Sequence, residues 1–322
     1  MRVGAPGARI HPGTLGARFL PFLTLVLVGC VHRSPHLPAA TSDRSWSARP
    51  MYFALVDRFA PSEASPTLPV DRRDPAFWHG GDLSTLRRHL DDLQSLGAGA
   101  VWISPVSSCR ESKIGPSGPS HCYWVEDPAV FERRFGTFEQ LRALRDELHS
   151  RGMKLVLDVV LNDVAPDSPL LAKHPEWFHP PMALLDYSDP VQLEKGQIGG
   201  LPNLAQERPE VAKYLIDTTR DWVRRVEPDG LRLDAVKHIP STFGAQLAST
   251  LHAEFPGLLL IGEDFDFDPL KLARLARTTG LDALLDFPLQ GALLDALCRD
   301  LRISDHRERQ DRTIVNARIG AS

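Results

Sequence analysis

The chain has 322 residues, enough for one large domain or two ordinary ones. An apolar fraction of 43%, a charged fraction of 24% and a net charge of −4 are those of a globular protein with a substantial core. Both signs of charge are interspersed, so there is no basic footprint for nucleic acid, and no apolar run beyond the N-terminus reaches the ~20 residues of a membrane span.

Arg2, Arg9 and Arg18 precede an apolar run over 19–28 that ends Leu27-Val28-Gly29-Cys30. A basic start, a short apolar stretch and small residues at its end predict an export signal rather than a membrane helix. The ending resembles a bacterial lipobox, which implies cleavage before Cys30 and a lipid on its sulfur. The expected location is the cell envelope as a membrane-anchored lipoprotein, a secreted or periplasmic chain being the alternative. Residues 31–50, rich in Ser, Pro and Ala, read as a flexible tether. Export permits disulfides. Cys109 and Cys122 flank a Gly/Ser/Pro-rich loop that they could close, whereas Cys298 has no evident partner; geometry decides the pairing.

Residues 51–56 form an apolar run suited to a strand covered on both faces. Leu83, Leu86, Leu90, Leu93 and Leu96 recur at helical spacing up to Gly97, and 100–105 is a second buried strand. A long loop with both cysteines follows. Thr137 and Gln140 make a capping box for a helix closed by Gly152, and 154–160 is the third strand. Residues 164–205 show neither period and read as an irregular excursion, which in a compact domain is usually functional. A helix starts at Pro209, a fourth strand at Gly230, and Ser241 or Thr242 caps another helix. Strands over 258–261 and 283–287, with helices over 269–279 and 289–301, complete six β-α units. Asp57, Asp158, Asp234 and Glu263 all fall at C-terminal strand ends, where a β/α barrel keeps its site.

The stretch Gly230-Leu231-Arg232-Leu233-Asp234-Ala235-Val236-Lys237-His238 puts Arg232 and Asp234 on one face of a strand. A carboxylate fixed beside a guanidinium is expected to stay ionised at a low pKa, as a nucleophile requires; a structural ion pair is the alternative.

With these pieces in order, residues 51–294 resemble the α-amylase family of glycoside hydrolases. The resemblance rests on Asp158-Val159-Val160-Leu161-Asn162, the 230–238 stretch, Gly262-Glu263 and Leu201-Pro202-Asn203-Leu204, with support from Gly80-Gly81-Asp82-Leu83, Trp102-Ile103-Ser104-Pro105 and Tyr123-Trp124. It implies a TIM-type β/α barrel over 51–300, incomplete at about six of eight units, with a short irregular domain B over about 162–205. The implied activity is retaining hydrolysis of α-linked glucans, with Asp234 as nucleophile and Glu263 as acid/base. An α-glucan transglycosylase of the same family, or a non-catalytic glucan-binding protein, are the alternatives. Arg232 is expected to orient Asp234, Tyr123 and Trp124 to meet the sugar, and Lys237 and His238 to contact sugars beyond the cleaved bond. Asn162, Asn203 and the His238 carbonyl fall where the family holds calcium, a cation suited to oxygen ligands.

Two departures from the family accompany the match. Asp163 stands where the family has a sugar-binding histidine; its carboxylate is expected to accept sugar hydroxyls and to raise the pKa values of Asp234 and Glu263. The Asn-His-Asp triplet of the family's fourth region, which supplies a third carboxylate, does not occur. Residues 301–322 resemble nothing in the family, and the expectation is a truncated or frameshifted product with slowed glucan hydrolysis.

Overall fold

The computed structural model describes residues 46–62 and 68–298, the side chain of Cys298 excepted. The export signal with Cys30, the tether up to residue 45 and the 301–322 tail lie outside the described residues. Among the described residues no helix is long and apolar enough to cross a membrane.

The described residues hold eight strands in chain order: β1 (Met51–Ala54), β2 (Ala100–Ile103), β3 (Ser107–Cys109), β4 (Val125–Phe131), β5 (Lys154–Val159), β6 (Gly230–Leu233), β7 (Leu259–Gly262) and β8 (Ala283–Leu284). Six of them form one parallel sheet in the order β1-β2-β5-β6-β7-β8, and β3 pairs antiparallel with β4. Helices follow the sheet strands as crossovers, among them Phe138–Ser150, Pro209–Val226, Ser241–Glu254 and Pro269–Thr279. The sheet is an incomplete TIM-type barrel, as expected from the six β-α units. Strand β6 is buried along its whole length, which explains why Leu231 and Leu233 alternate with Arg232 and yet no residue there is solvated.

The core lies between the sheet and these helices. Leu144, Leu155, Leu215, Val226 and Leu251 are fully buried, each stabilising the fold by roughly 1.5–3 kcal/mol. Trp222 packs against Phe131 and Phe138 and donates to the Pro128 carbonyl at 2.8 Å, so β4 is fixed to the long helix before β6. Register then aligns the functional strand ends: Asp158 lies opposite Arg232, and Leu233 opposite Gly262.

Several expected boundaries move for local reasons. The first helical stretch is two helices, Leu83–Arg88 and Leu90–Ser95, because the His89 N–H bonds back to Leu86, three residues away, and tightens the turn. Leu96 is consequently exposed. Strand β1 stops at Ala54, and Val56–Phe59 is a helical turn. The loop with the cysteines contains the β3–β4 pair. Thr137 caps its helix by accepting from Gln140 N, but the Gln140 side chain donates to Ser84, so the capping box is half formed. Neither Ser241 nor Thr242 caps a helix; Pro240 precedes the first turn, with its carbonyl accepting from Gly244. Strand β8 has two residues instead of five, because the Asp286 carboxylate accepts from Leu289 N and starts the Phe287–Cys298 helix early.

The excursion after β5 holds helices Pro169–Lys173 and Pro190–Lys195 and short 3-10 turns. Bridges between Asp163 and Asn203 and between Phe178 and Leu204 bind its return path to the end of β5.

Candidate active site

The centre of the site is the guanidinium of Arg232, 3% exposed, at the C-terminal end of β6. Its Nη1 lies 2.8 Å and 3.0 Å from the two oxygens of Asp158 on β5 and 2.6 Å from Asp234 Oδ1. Its Nη2 lies 2.6 Å from Glu263 Oε2, just beyond β7. One planar cation therefore joins three carboxylates from neighbouring strand ends. Trp102 and Tyr123 cover the guanidinium, their ring centres 5.1 Å and 5.5 Å from Cζ.

Access distinguishes the three acids. The Asp158 side chain has no exposed surface, Asp234 keeps 18% and Glu263 27%. Asp158 also accepts from Tyr123 Oη at 2.6 Å and Trp102 Nε1 at 3.0 Å. It is a hub that fixes the others, while Asp234 and Glu263 face the opening.

The backbone that aims these groups is constrained. Ala235 has φ 49°, a left-handed conformation that costs an alanine of order 1–3 kcal/mol. The turn sends the Ala235 N–H to Glu263 Oε2 at 3.2 Å and the Val236 N–H to the Glu263 carbonyl at 2.9 Å, locking the nucleophile candidate to the acid candidate. Before Glu263, a Cβ on Gly262 would come within 2.6 Å of a Leu284 methyl, 2.8 Å of one on Leu281 and 2.9 Å of one on Val236, so any larger residue would force these side chains to shift.

The electrostatics correct one expectation. Burial drives the Asp234 carboxyl well above the ordinary carboxylate range; the Arg232 charge opposes this, and Asp158, Glu263 and Asp163 add to it. A single guanidinium cannot neutralise three carboxylates. Burial likewise pushes Asp158 up to about 6, despite the Arg232 charge and the hydrogen bonds from Tyr123, Arg232 and Trp102.

The other expected residues separate into those near the centre and those turned away. Trp124 packs edge-to-face on His121, 4.7 Å between ring centres, rather than on the carboxylates. Lys237 Nζ bonds the Phe265 carbonyl at 3.0 Å and lies 3.6 Å from Asp264 Oδ1, tying the strand β6 turn to the loop after Glu263. His238 is buried, with Nδ1 2.9 Å from the Leu193 carbonyl. Asp163 does not open toward a sugar: it is buried, and its Oδ2 accepts from Asn162 Nδ2 at 3.1 Å. The cause is its bridge to Asn203, which draws the residue under the excursion. Asp57 turns to the loop over 79–80 and accepts its N–H groups. The sequence placed Asp158 at a strand end of the site without giving it a role, and Trp102 was noted only within its motif; the pairing of residue 158 with Arg232 across adjacent strands is the missing signal.

Asn162 and Asn203 meet in a buried junction. Asn203 Nδ2 lies 3.3 Å from both Asn162 Oδ1 and the Gly196 carbonyl, and Asn203 Oδ1 lies 2.7 Å from His179 Nδ1. Turning the Asn203 amide over would bring a third oxygen to these two. The three donors would then all be neutral oxygens, of the kind a hard cation accepts. His238 lies nearby, its ring held by the helix that precedes Gly196.

Residues 53–178 match the model of the alpha amylase catalytic domain. Alpha-amylase mde5 of Schizosaccharomyces pombe is 30% identical over 274 residues, covering 81% of this chain and 51% of the relative. An alpha-amylase from Geobacillus thermoleovorans, solved in complex with acarbose, is 36% identical with a TM-score of 0.70, over 78% of this chain and 54% of that one. An Anoxybacillus alpha-amylase is 31% identical with a TM-score of 0.77, over 86% and 61%. The chain spans about half the length of the curated relatives it matches.

Proposed function

We propose that this chain, which belongs to the alpha-amylase family of glycoside hydrolases, hydrolyses α-linked glucans with retention of configuration. The observation that carries the proposal is the one guanidinium shared by Asp158, Asp234 and Glu263 at three neighbouring strand ends. The Asp234 carboxylate attacks the anomeric carbon as Glu263 delivers a proton to the departing glycosidic oxygen, leaving a glycosyl ester on Asp234. Glu263, now ionised, takes a proton from water, which attacks the same carbon and releases the sugar. Arg232 holds both carboxyls in register throughout, and the Tyr123 ring offers a face to the apolar side of the sugar. Lys237 and His238 line the side of the leaving sugars.

The test compares Asp234→Asn and Glu263→Gln on aryl maltosides. Asp234→Asn abolishes turnover of every substrate, whereas Glu263→Gln impairs poor leaving groups far more than good ones. Undiminished turnover in Asp234→Asn would overturn the assignment.

Calcium belongs to the proposal at the Asn162–Asn203 junction. Asn162 Oδ1, the turned Asn203 amide and the Gly196 carbonyl, joined by the backbone carbonyl of His238, would hold it. Bound there, it would supply positive charge that binds the excursion to the end of β5. The exported lipoprotein is likewise a proposal, supported by the lipobox-like ending at Cys30 and by a disulfide between Cys109 and Cys122. Fatty-acid labelling that vanishes in Cys30→Ser checks the anchor; labelling that persists rejects it.

A further inference from the structure

Among the described residues, three non-glycine residues have positive φ: Glu227, which closes a helix, Ala235, which joins the two catalytic candidates, and Cys122, at φ 63°. Cys122 immediately precedes Tyr123, whose hydroxyl reaches Asp158. A β-carbon disfavours this conformation, so something must hold residue 122 in it. Its backbone N–H bonds the Pro119 carbonyl, and its sulfur is bonded to Cys109.

The two ends of that bridge are held unequally. Cys109 belongs to β3, pairs with Val125 and donates its N–H to the buried carboxylate of Glu132 at 3.1 Å. Cys122 lies in a loop. The loop is anchored upstream, where Arg58 Nη2 donates to Ser120 Oγ at 2.5 Å, and downstream, where the Trp124 carbonyl accepts from Arg110 N. Between these anchors a cysteine left to itself prefers right-handed or extended backbone, and either would swing Tyr123 off Asp158.

We propose that the Cys109–Cys122 bridge is a positioning device for Tyr123: it holds residue 122 left-handed and so delivers the phenol to the carboxylate hub. The redox state of this pair then governs whether the stacking face is formed. A tertiary phosphine with water reduces the S–S bond to two thiols and leaves as its oxide; residue 122 is released, and Tyr123 with it. The sugar-binding use of Tyr123 rests on the proposed function, but the bridge's action on the side chain does not.

Nitration by tetranitromethane, mapped by mass spectrometry, reads this without any sugar. The chain has four tyrosines, of which Tyr187 is exposed and Tyr214, held by Asp127, reports the fold. In the parent, Tyr187 reacts and Tyr123 is protected, because burial and the Asp158 charge suppress its phenolate. With Cys109→Ser and Cys122→Ser together, Tyr123 reacts several-fold faster and Tyr214 does not. With Cys109→Ser and Cys122→Gly, protection returns, since glycine adopts φ 63° without a bridge. Continued protection in the serine pair, or a glycine variant as reactive as the serine one, would overturn the proposal. If the serine pair fails to fold, as Tyr214 would report, the folded parent reduced by phosphine and capped with methylthio groups gives the same reading. A parent that binds no maltooligosaccharide but shows this nitration pattern would refute the proposed function alone.

Discussion

Asp158 and Asp163 stand five residues apart at the end of one strand, and both are buried carboxylates. Asp158 receives a guanidinium, a phenol and an indole, and its pKa is pushed up to about 6. Asp163 receives, among the described residues, one amide N–H from Asn162, and burial raises it to about 7. Asp158 is tied into a cluster that can use its charge, while Asp163 is an acid under a lid of neutral amides. Burial pushes both toward protonation, and the kind of partner decides whether the ionised form has work to do.

The sharpest way to break the contrast is to remove the cation. Arg232→Met leaves three carboxylates facing one another, and a loss of about 3–5 kcal/mol in urea unfolding is expected together with loss of turnover. A variant as stable as the parent would mean the cluster is not balanced by Arg232. Next, Asp234→Asn should lower kcat by at least about three orders of magnitude while raising stability at neutral pH. The folded pKa of Asp234 is raised, so the stability associated with its neutral form is present below its unfolded pKa and lost as pH rises through the folded one. The asparagine variant escapes that loss. Equal melting temperatures for parent and variant across pH 5–8 would contradict the crowding.

Asp163→Asn sharpens the other side. The folded pKa of about 7 exceeds the ordinary 3.8, so its stabilisation is complete below about pH 4 and disappears as pH rises through 7. With chelator present, the parent should lose more stability than the variant between pH 5 and 8, the difference growing by up to about 1.4 kcal/mol per unit as pH approaches 7. The smallest effect concerns calcium: millimolar addition should raise the parent's melting temperature by a few degrees, and Asn203→Ala should abolish that rise. A rise that survives in Asn203→Ala would locate any cation elsewhere.

How much of this was legible in the sequence depends on the range of the forces involved. The strand ends carrying Asp158, Asp234 and Glu263 follow from local apolar runs and turn residues, and the alternation around Arg232 marked its strand. The left-handed Ala235 was not legible, because nothing in an alanine announces a positive φ that tertiary bonds to Glu263 enforce. The length of β8 was misjudged because Asp286, read as part of the strand, instead caps the next helix. Asp163 was expected in the open, since its burial depends on a bridge to Asn203, forty residues away. The expected low pKa of Asp234 failed because burial outweighs the local Arg232–Asp234 pair, and because Asp158 and Glu263, which crowd the same guanidinium, arrive from other strands.

The central claim is that Asp234 becomes covalently glycosylated beside Arg232. Incubation with a fluorinated α-glycosyl fluoride that slows release of the intermediate, followed by peptide mapping, tests it most directly. The account predicts one added glycosyl mass on the peptide carrying Asp234, absent in Asp234→Asn. A label on Glu263 or Asp158 instead, or glucan hydrolysis with no label on Asp234, would contradict it.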